Sequence, residues 1–289
     1  MALAGLGVNT GLAFTKILAG VIGHSYALIA DGVESTLDIF GSLVVVGGLR
    51  VAATPPDQDH PYGHGKAEPL AAAVISLALI GAAVGLAVMS IREILTPHHA
   101  PAPYTLLVLI GVIVLKETLF RAAMKVGDLI DSTAVRTDAW HHRSDAITSA
   151  AAFLGIGIAV IGGKGYESAD DWAALLACGV IAFNGFRLIG PALADLMDAA
   201  PSPELEARVR TAAGNVPGVI DLDKYRARKM GLDYYVELHI RVDGSIPVLE
   251  GHRIAHRVKD AVRTATPQIA DVLVHVEPPA DAHGRSIGV

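Results

Sequence analysis

The chain has 289 residues, 52% of them hydrophobic and only 18% charged, which is too apolar for an ordinary soluble domain. A formal net charge of −6 argues against nucleic acid as a partner. The single cysteine, Cys178, excludes an internal disulfide and any multi-cysteine metal site, and in its apolar run it reads as a small hydrophobe.

From Met1 to about Leu196 the sequence is dominated by Ala, Val, Ile, Leu and Gly, and beyond that it turns polar. A window of about 20 apolar residues marks a spanning helix. Six windows qualify: 3–23, 28–52, 69–95, 103–125, 137–162 and 170–193. The first lacks a basic start and is interrupted by Lys16. It reads as a retained span at a minimal or truncated start, not as a cleaved signal. Turn-like breaks separate the windows at Gly23-His24-Ser25, Pro55 to Lys66, Thr96 to Pro103, Gly127 to Thr133 and Gly162 to Ala169. Arg50, Lys66, Lys125, Arg136 and Arg187 flank one side, against Lys164 and Arg92 on the other. The positive-inside bias therefore places both termini in the cytoplasm.

The polar remainder predicts a small α-β-β-α-β domain. Pro203 to Gly214 is a helix opened by Ser202 and Pro203, a cap followed by a proline. Val219 to Lys229 and Asp233 to Val242 are strands around the Met230-Gly231 break, Pro247 to Ala265 is a charged helix, and Asp271 to Glu277 is a last strand. The expected fold is an all-α six-helix membrane bundle over 1–198, followed by an α+β cytoplasmic domain over 199–289.

Ionisable residues inside the spans carry the first functional signal. Glu34 with Asp38, and His141 with Asp145, are pairs four residues apart, so each pair shares one face of its helix. Such groups cost at least ~2.5 kcal/mol each in hydrocarbon and face protein interiors or cavities. Three carboxylates and one imidazole facing one another would suit a divalent transition metal. Asp31, close to a full turn before Glu34, reads as a helix-start residue, and His142 as a neighbour of the ligand His141. In the second loop, Asp57, His60 and His64 are spaced so that Pro and Gly bends could bring them onto one metal, with Asp59 as a further candidate. In the polar domain His239 lies on the side of its strand opposite Val236, Leu238, Ile240 and Val242. His275 and Glu277 share a face of the last strand, and His252 and His256 lie four apart on the helix between, so imidazoles and an acid could meet there.

Together, Ser25-Tyr26-Ala27-Leu28-Ile29-Ala30-Asp31-Gly32 running into Glu34-Ser35-Thr36-Leu37-Asp38, His60-Pro61-Tyr62-Gly63-His64-Gly65-Lys66-Ala67-Glu68, Arg136-Thr137-Asp138-Ala139-Trp140-His141, and Ser144-Asp145 form a specific set. On these residues the chain resembles the cation diffusion facilitator family over essentially its full length. The resemblance implies a dimeric six-helix exporter of divalent metal in exchange for protons, with a metallochaperone-like cytoplasmic domain. It implies a transport site at Glu34, Asp38, His141 and Asp145, a loop site at Asp57, His60 and His64, and a cytoplasmic site at His239, His252, His275 and Glu277. It also implies a charged interlock between Lys66 and Asp198. Many zinc-selective members have Asp or His where this chain has Glu34.

The resulting expectation is an integral protein of the bacterial inner membrane, forming homodimers in the lipid bilayer with protons as counter-ion and no organic cofactor. Metal needs deprotonated ligands, so protons and metal exclude one another, and alternating access turns that competition into antiport. Zinc is the expected metal. Iron(II) is the alternative within the family, and cadmium, cobalt and manganese are further divalent candidates. The rival classes are a metal sensor that transports nothing and a membrane di-metal enzyme built on the His60 and His64 pair.

Overall fold

The computed structural model describes residues 2–96, 100–129, 133–163, 165–231 and 233–279, and no side chains at 2–6, 127, 133–139 and 141. Six long helices come first: α1 (Ala2–Ile22), α2 (Tyr26–Ala52), α3 (Ala67–Leu95), α4 (Tyr104–Leu129), α5 (Thr133–Gly162) and α6 (Ala169–Leu196). Each apolar window falls on one of them. The helices run up to four residues beyond their windows, because a helix does not stop where its apolar stretch does. Among the described residues, four helical segments are long and apolar enough to cross a membrane: Tyr26–Ala52, Ala67–Leu95, His142–Gly162 and Ala169–Leu196. Gly7–Ile22 is apolar but shorter. Tyr104–Leu129 carries Lys116, Glu117 and Arg121 within its hydrophobic length.

The short connections are held by specific chemistry. α1 ends with His24 in the left-handed region (φ 52°), and the Ser25 amide reaches back to the Gly20 carbonyl at 2.9 Å. At the start of α2, the Asp170 carboxylate accepts from Ser25 Oγ at 2.7 Å and from the Tyr26 amide at 2.7 Å. A buried acid is thereby satisfied at a helix N-terminus, where the dipole favours it. α1 and α2 approach closely because Gly32 faces α1. A Cβ there would meet Ile17 Cγ1 at 2.7 Å and the Lys16 Cβ at 3.1 Å.

The chain divides into two compact units that do not follow chain order: residues 1–44 with 73–189, and residues 45–72 with 190–289. The division cuts through α2, α3 and α6. In the second unit α6 ends at Leu196, and just beyond it Asp198 takes the left-handed conformation (φ 57°) while the Ala199 amide bonds the Ala194 carbonyl at 2.9 Å. Then follow α7 (Pro203–Gly214), β1 (Asp221–Met230), β2 (Asp233–Arg241), α8 (Val248–Ala265) and β3 (Ile269–Glu277). This is the expected α-β-β-α-β order. Ser202 caps α7 by accepting from the Leu205 amide, as its sequence suggested.

The sheet order is β1-β2-β3, with β1 antiparallel and β3 parallel to β2. The parallel crossover is supplied by α8. Val236, Leu238, Ile240 and Val242 form the buried face of the sheet and pack with Val209 of α7 and with Ile254, Val258 and Val262 of α8. Alternation therefore turns His239, His275 and Glu277 to the opposite face.

Candidate metal centre

In the first unit, Glu34 and Asp38 are half-buried on successive turns of α2, and Asp145 is half-buried on α5. Glu34 lies within electrostatic reach of Asp38, Asp31 and Asp145. Glu34 is thus near the other two expected carboxylates, but the three do not bring ligand atoms within 4.8 Å of one another as the clusters below do. His141 stands on α5 four residues before Asp145, but its side chain lies outside the described residues. A cavity of about 60 Å³ opens beside Glu34 and Asp31, walled further by Thr148, Ala152, Ala173 and Ala177.

Asp31 is not a helix-start residue. α2 begins at Tyr26, and Asp31 is buried in its second turn, ion-paired with Lys16 of α1 at 2.9 Å. The Lys16 ammonium also donates to Ser35 at 3.1 Å and Ser149 at 3.3 Å, and the Ser149 hydroxyl donates to Asp31 at 2.8 Å. A second buried lysine, Lys116 of α4, pairs with Asp145 at 2.7 Å and donates to Asn9 Oδ1 at 3.1 Å. Reading the sequence for carboxylates and imidazoles passed over both lysines. The signal was present all the same: a lone cation mid-window, too far from either end to reach water, needs an internal partner.

In the second unit the loop candidates come together. Asp57 accepts from the His60 amide at 2.6 Å, which closes the loop, and its carboxylate lies 3.3 Å from His60 Nδ1 and 3.5 Å from His64 Nε2. The His60 amide bond, helped by the two imidazoles, holds the Asp57 carboxyl below its ordinary range. One ligand atom from each of Asp57, His60 and His64 lies within 4.8 Å of the others. Asp59 is exposed and stays outside this set.

The strand candidates converge by register, since His239 pairs with His275, and Arg241 with Glu277, across the parallel ladder. His239 Nδ1 lies 2.6 Å from Glu277 Oε1, and His275 Nε2 lies 3.6 Å from the same oxygen. The hydrogen bond to His239, reinforced by the charge of both imidazoles, holds the Glu277 carboxyl below its usual range. Each of these two clusters contains a buried polar atom with no hydrogen-bond partner, His64 Nδ1 in one and Glu277 Oε2 in the other. Nitrogen and oxygen donors with spare lone pairs fit a borderline divalent cation. His252 is not brought into the strand cluster. α8 buries Ile254, Val258 and Val262, which leaves His252 and His256 exposed, their rings 4.6 Å apart.

Lys66 and Asp198 do meet, at 2.5 Å, and Lys66 also donates to the Asp195 carbonyl. Lys229 of β1 adds a 3.0 Å pair to the Asp195 carboxylate. These contacts join the α2–α3 connection, the end of α6 and the sheet within the second unit.

Apolar helices holding a knot of carboxylates, joined in one chain to histidine–carboxylate clusters, define a membrane protein that handles cations. Residues 2–197 match the cation efflux transmembrane domain, and residues 201–279 match the cation efflux protein cytoplasmic domain. The chain is 30% identical to the manganese efflux system protein MneP of Bacillus subtilis, over 96% of this chain and 95% of that one. It is 32% identical to the cation-efflux pump FieF of Cronobacter sakazakii, over 96% and 91%. A solved MamM C-terminal domain is 32% identical and covers 26% of this chain and 96% of its own, with a TM-score of 0.26. The chain belongs to the cation diffusion facilitator family, whose members are integral membrane transporters of divalent metal cations and not enzymes.

Proposed function

We propose that this protein exports a divalent transition metal from the cytoplasm in exchange for protons by alternating access, with Glu34, Asp38, His141 and Asp145 as the transport ligands. The observation that supports it most is that Glu34 lies within electrostatic reach of both Asp38 and Asp145 among otherwise apolar helices. Carboxylates are kept in such surroundings for ion pathways or proton relays. Metal binds only deprotonated ligands, so an arriving metal displaces protons, and a departing one makes room for them. The loop cluster of Asp57, His60 and His64 and the strand cluster of His239, His275 and Glu277 then serve as cytoplasmic capture and regulatory sites. His252 is assigned to the latter by resemblance only.

The functional division of the chain falls at 198/199, with the bundle as transport domain and the rest as a dimerising cytoplasmic domain. Both termini face the cytoplasm of a bacterial inner membrane. Zinc is the preferred cargo on this reading, because an imidazole beside three carboxylates suits a borderline cation. A second reading, manganese, is favoured by the name of the relative MneP and by the oxygen-rich donor set. The test is flux into proteoliposomes carrying a lumenal pH dye, with zinc, manganese and iron(II) in competition. Metal uptake coupled to proton efflux, lost in Asp38→Ala, is expected; unchanged flux in that variant would sink the assignment.

A further inference from the structure

Two lysines are buried among the apolar helices of the first unit, and their surroundings differ in kind. The Lys16 ammonium has three acceptors, Asp31, Ser35 and Ser149, matching its three protons, and no residue assigned to metal is among them. That pair is closed on itself. Lys116 is 3% exposed and has two described acceptors: Asp145, assigned above as a transport ligand, and Asn9 of α1. Its ammonium sits 2.7 Å from Asp145 Oδ2, the length of a charge-assisted hydrogen bond, so it occupies an oxygen that a metal would need.

An ammonium and a dication cannot both use this carboxylate cheaply in low dielectric, because their mutual repulsion adds to the loss of hydrogen-bond geometry. We propose that Lys116 is a tethered cation that occupies Asp145 while metal is absent and must be displaced for metal to bind. This rests on the reading of Asp145 as a transport ligand. Asn9 supplies the second position: at 3.1 Å it already accepts from the same ammonium, so a short swing of the lysine leaves Asp145 to the metal while the ammonium keeps a hydrogen-bond acceptor.

The consequence is a weaker but releasable site. A fixed positive charge lowers the affinity the carboxylates would otherwise have, and it is ready to take Asp145 back as the metal leaves. It also discriminates. A cation that forms strong ligand bonds displaces the lysine, whereas a strongly hydrated one such as magnesium does so poorly.

The experiment is zinc titration by calorimetry on the full chain in lipid nanodiscs. The background carries His60→Ala, His64→Ala, His239→Ala and His275→Ala, so that the membrane site dominates the signal. Lys116→Gln, which keeps a donor for Asp145 and Asn9 but no charge, is expected to bind zinc about tenfold tighter or more. Lys116→Arg, which keeps the charge, is expected to return to the background affinity or below it. A purely structural lysine would not produce tightening that a conservative cation reverses. Asn9→Ala leaves the ion pair in place and removes the fallback acceptor, so zinc binding is expected to weaken severalfold; this arm decides the matter if Lys116→Gln does not fold. Unchanged or weaker zinc binding in folded Lys116→Gln, or unchanged binding in Asn9→Ala, would overturn the proposal. Asp145→Ala separates the two layers: if it leaves zinc binding intact, the ligand assignment itself fails, and if it abolishes binding while Lys116→Gln does not tighten it, only the lysine's role fails.

Discussion

In the unit formed by residues 1–44 and 73–189, two carboxylates among the helices are matched by buried cations, with Lys16 on Asp31 and Lys116 on Asp145. In the unit formed by residues 45–72 and 190–289, the histidine–carboxylate clusters sit at the surface, with His60 57% and His275 62% exposed. The difference follows from the solvent. Water screens and hydrates charges at the surface, so they can cluster there at little cost. An unmatched carboxylate inside the helices costs several kcal/mol, so the fold supplies its own counter-charge. A transport site in lipid is therefore a problem of charge balance before it is one of ligand geometry.

Breaking a buried pair should show the largest effect. Lys16→Met strands the buried Asp31 carboxylate and is expected to cost about 3–5 kcal/mol of stability, with most of it recovered by adding Asp31→Leu. Denaturant unfolding of the purified protein measures both, and a loss under ~1 kcal/mol would erase the contrast between the units. Ser149→Ala removes a hydroxyl that donates its one proton to the Asp31 carboxylate and should cost about 1–3 kcal/mol by the same measurement. On the exposed side, Glu206→Gln cuts the Arg210–Glu206 pair of α7, whose side chains are 39% and 40% exposed. Only about 0.3–0.5 kcal/mol should be lost, and less at high salt.

The smallest expected effect is a pH dependence before α8. The Ser245 amide and hydroxyl both donate to Asp243, which holds that carboxyl below its ordinary 3.8. A lowered carboxylate pKa contributes stability above the unfolded value, and this is lost as pH falls through the folded value. Asp243→Ala should therefore speed hydrogen exchange at the Ser245 amide at pH 7, with the difference from the unaltered protein shrinking toward pH 3. A difference that stays constant with pH would mean the carboxylate charge plays no part.

Much of this was legible in the sequence because membrane helices and a half-buried sheet leave simple periodic marks. The six apolar windows and the alternation of Tyr235 to Val242 located their elements to within a few residues. Groupings of neighbours in sequence were legible too: Asp57, His60 and His64 lie within one tight loop, and Glu34 and Asp38 lie one turn apart. What escaped was long-range pairing. Nothing local in Lys116 points to Asp145, 29 positions away on another helix, nor in Lys16 to Ser149, 133 positions away. His252 shows the converse. Spacing alone allowed it to join His239 and His275, but the core face of α8 fixes its direction to solvent.

The most direct test compares zinc flux in proteoliposomes for Asp38→Ala against the combined His60→Ala, His64→Ala, His239→Ala, His275→Ala protein at saturating metal. The expected result is background flux in Asp38→Ala and measurable, proton-coupled flux in the fourfold histidine variant. Robust flux in Asp38→Ala, or flux abolished by removing the surface histidines alone, would place the transport site outside the helices and contradict the assignment.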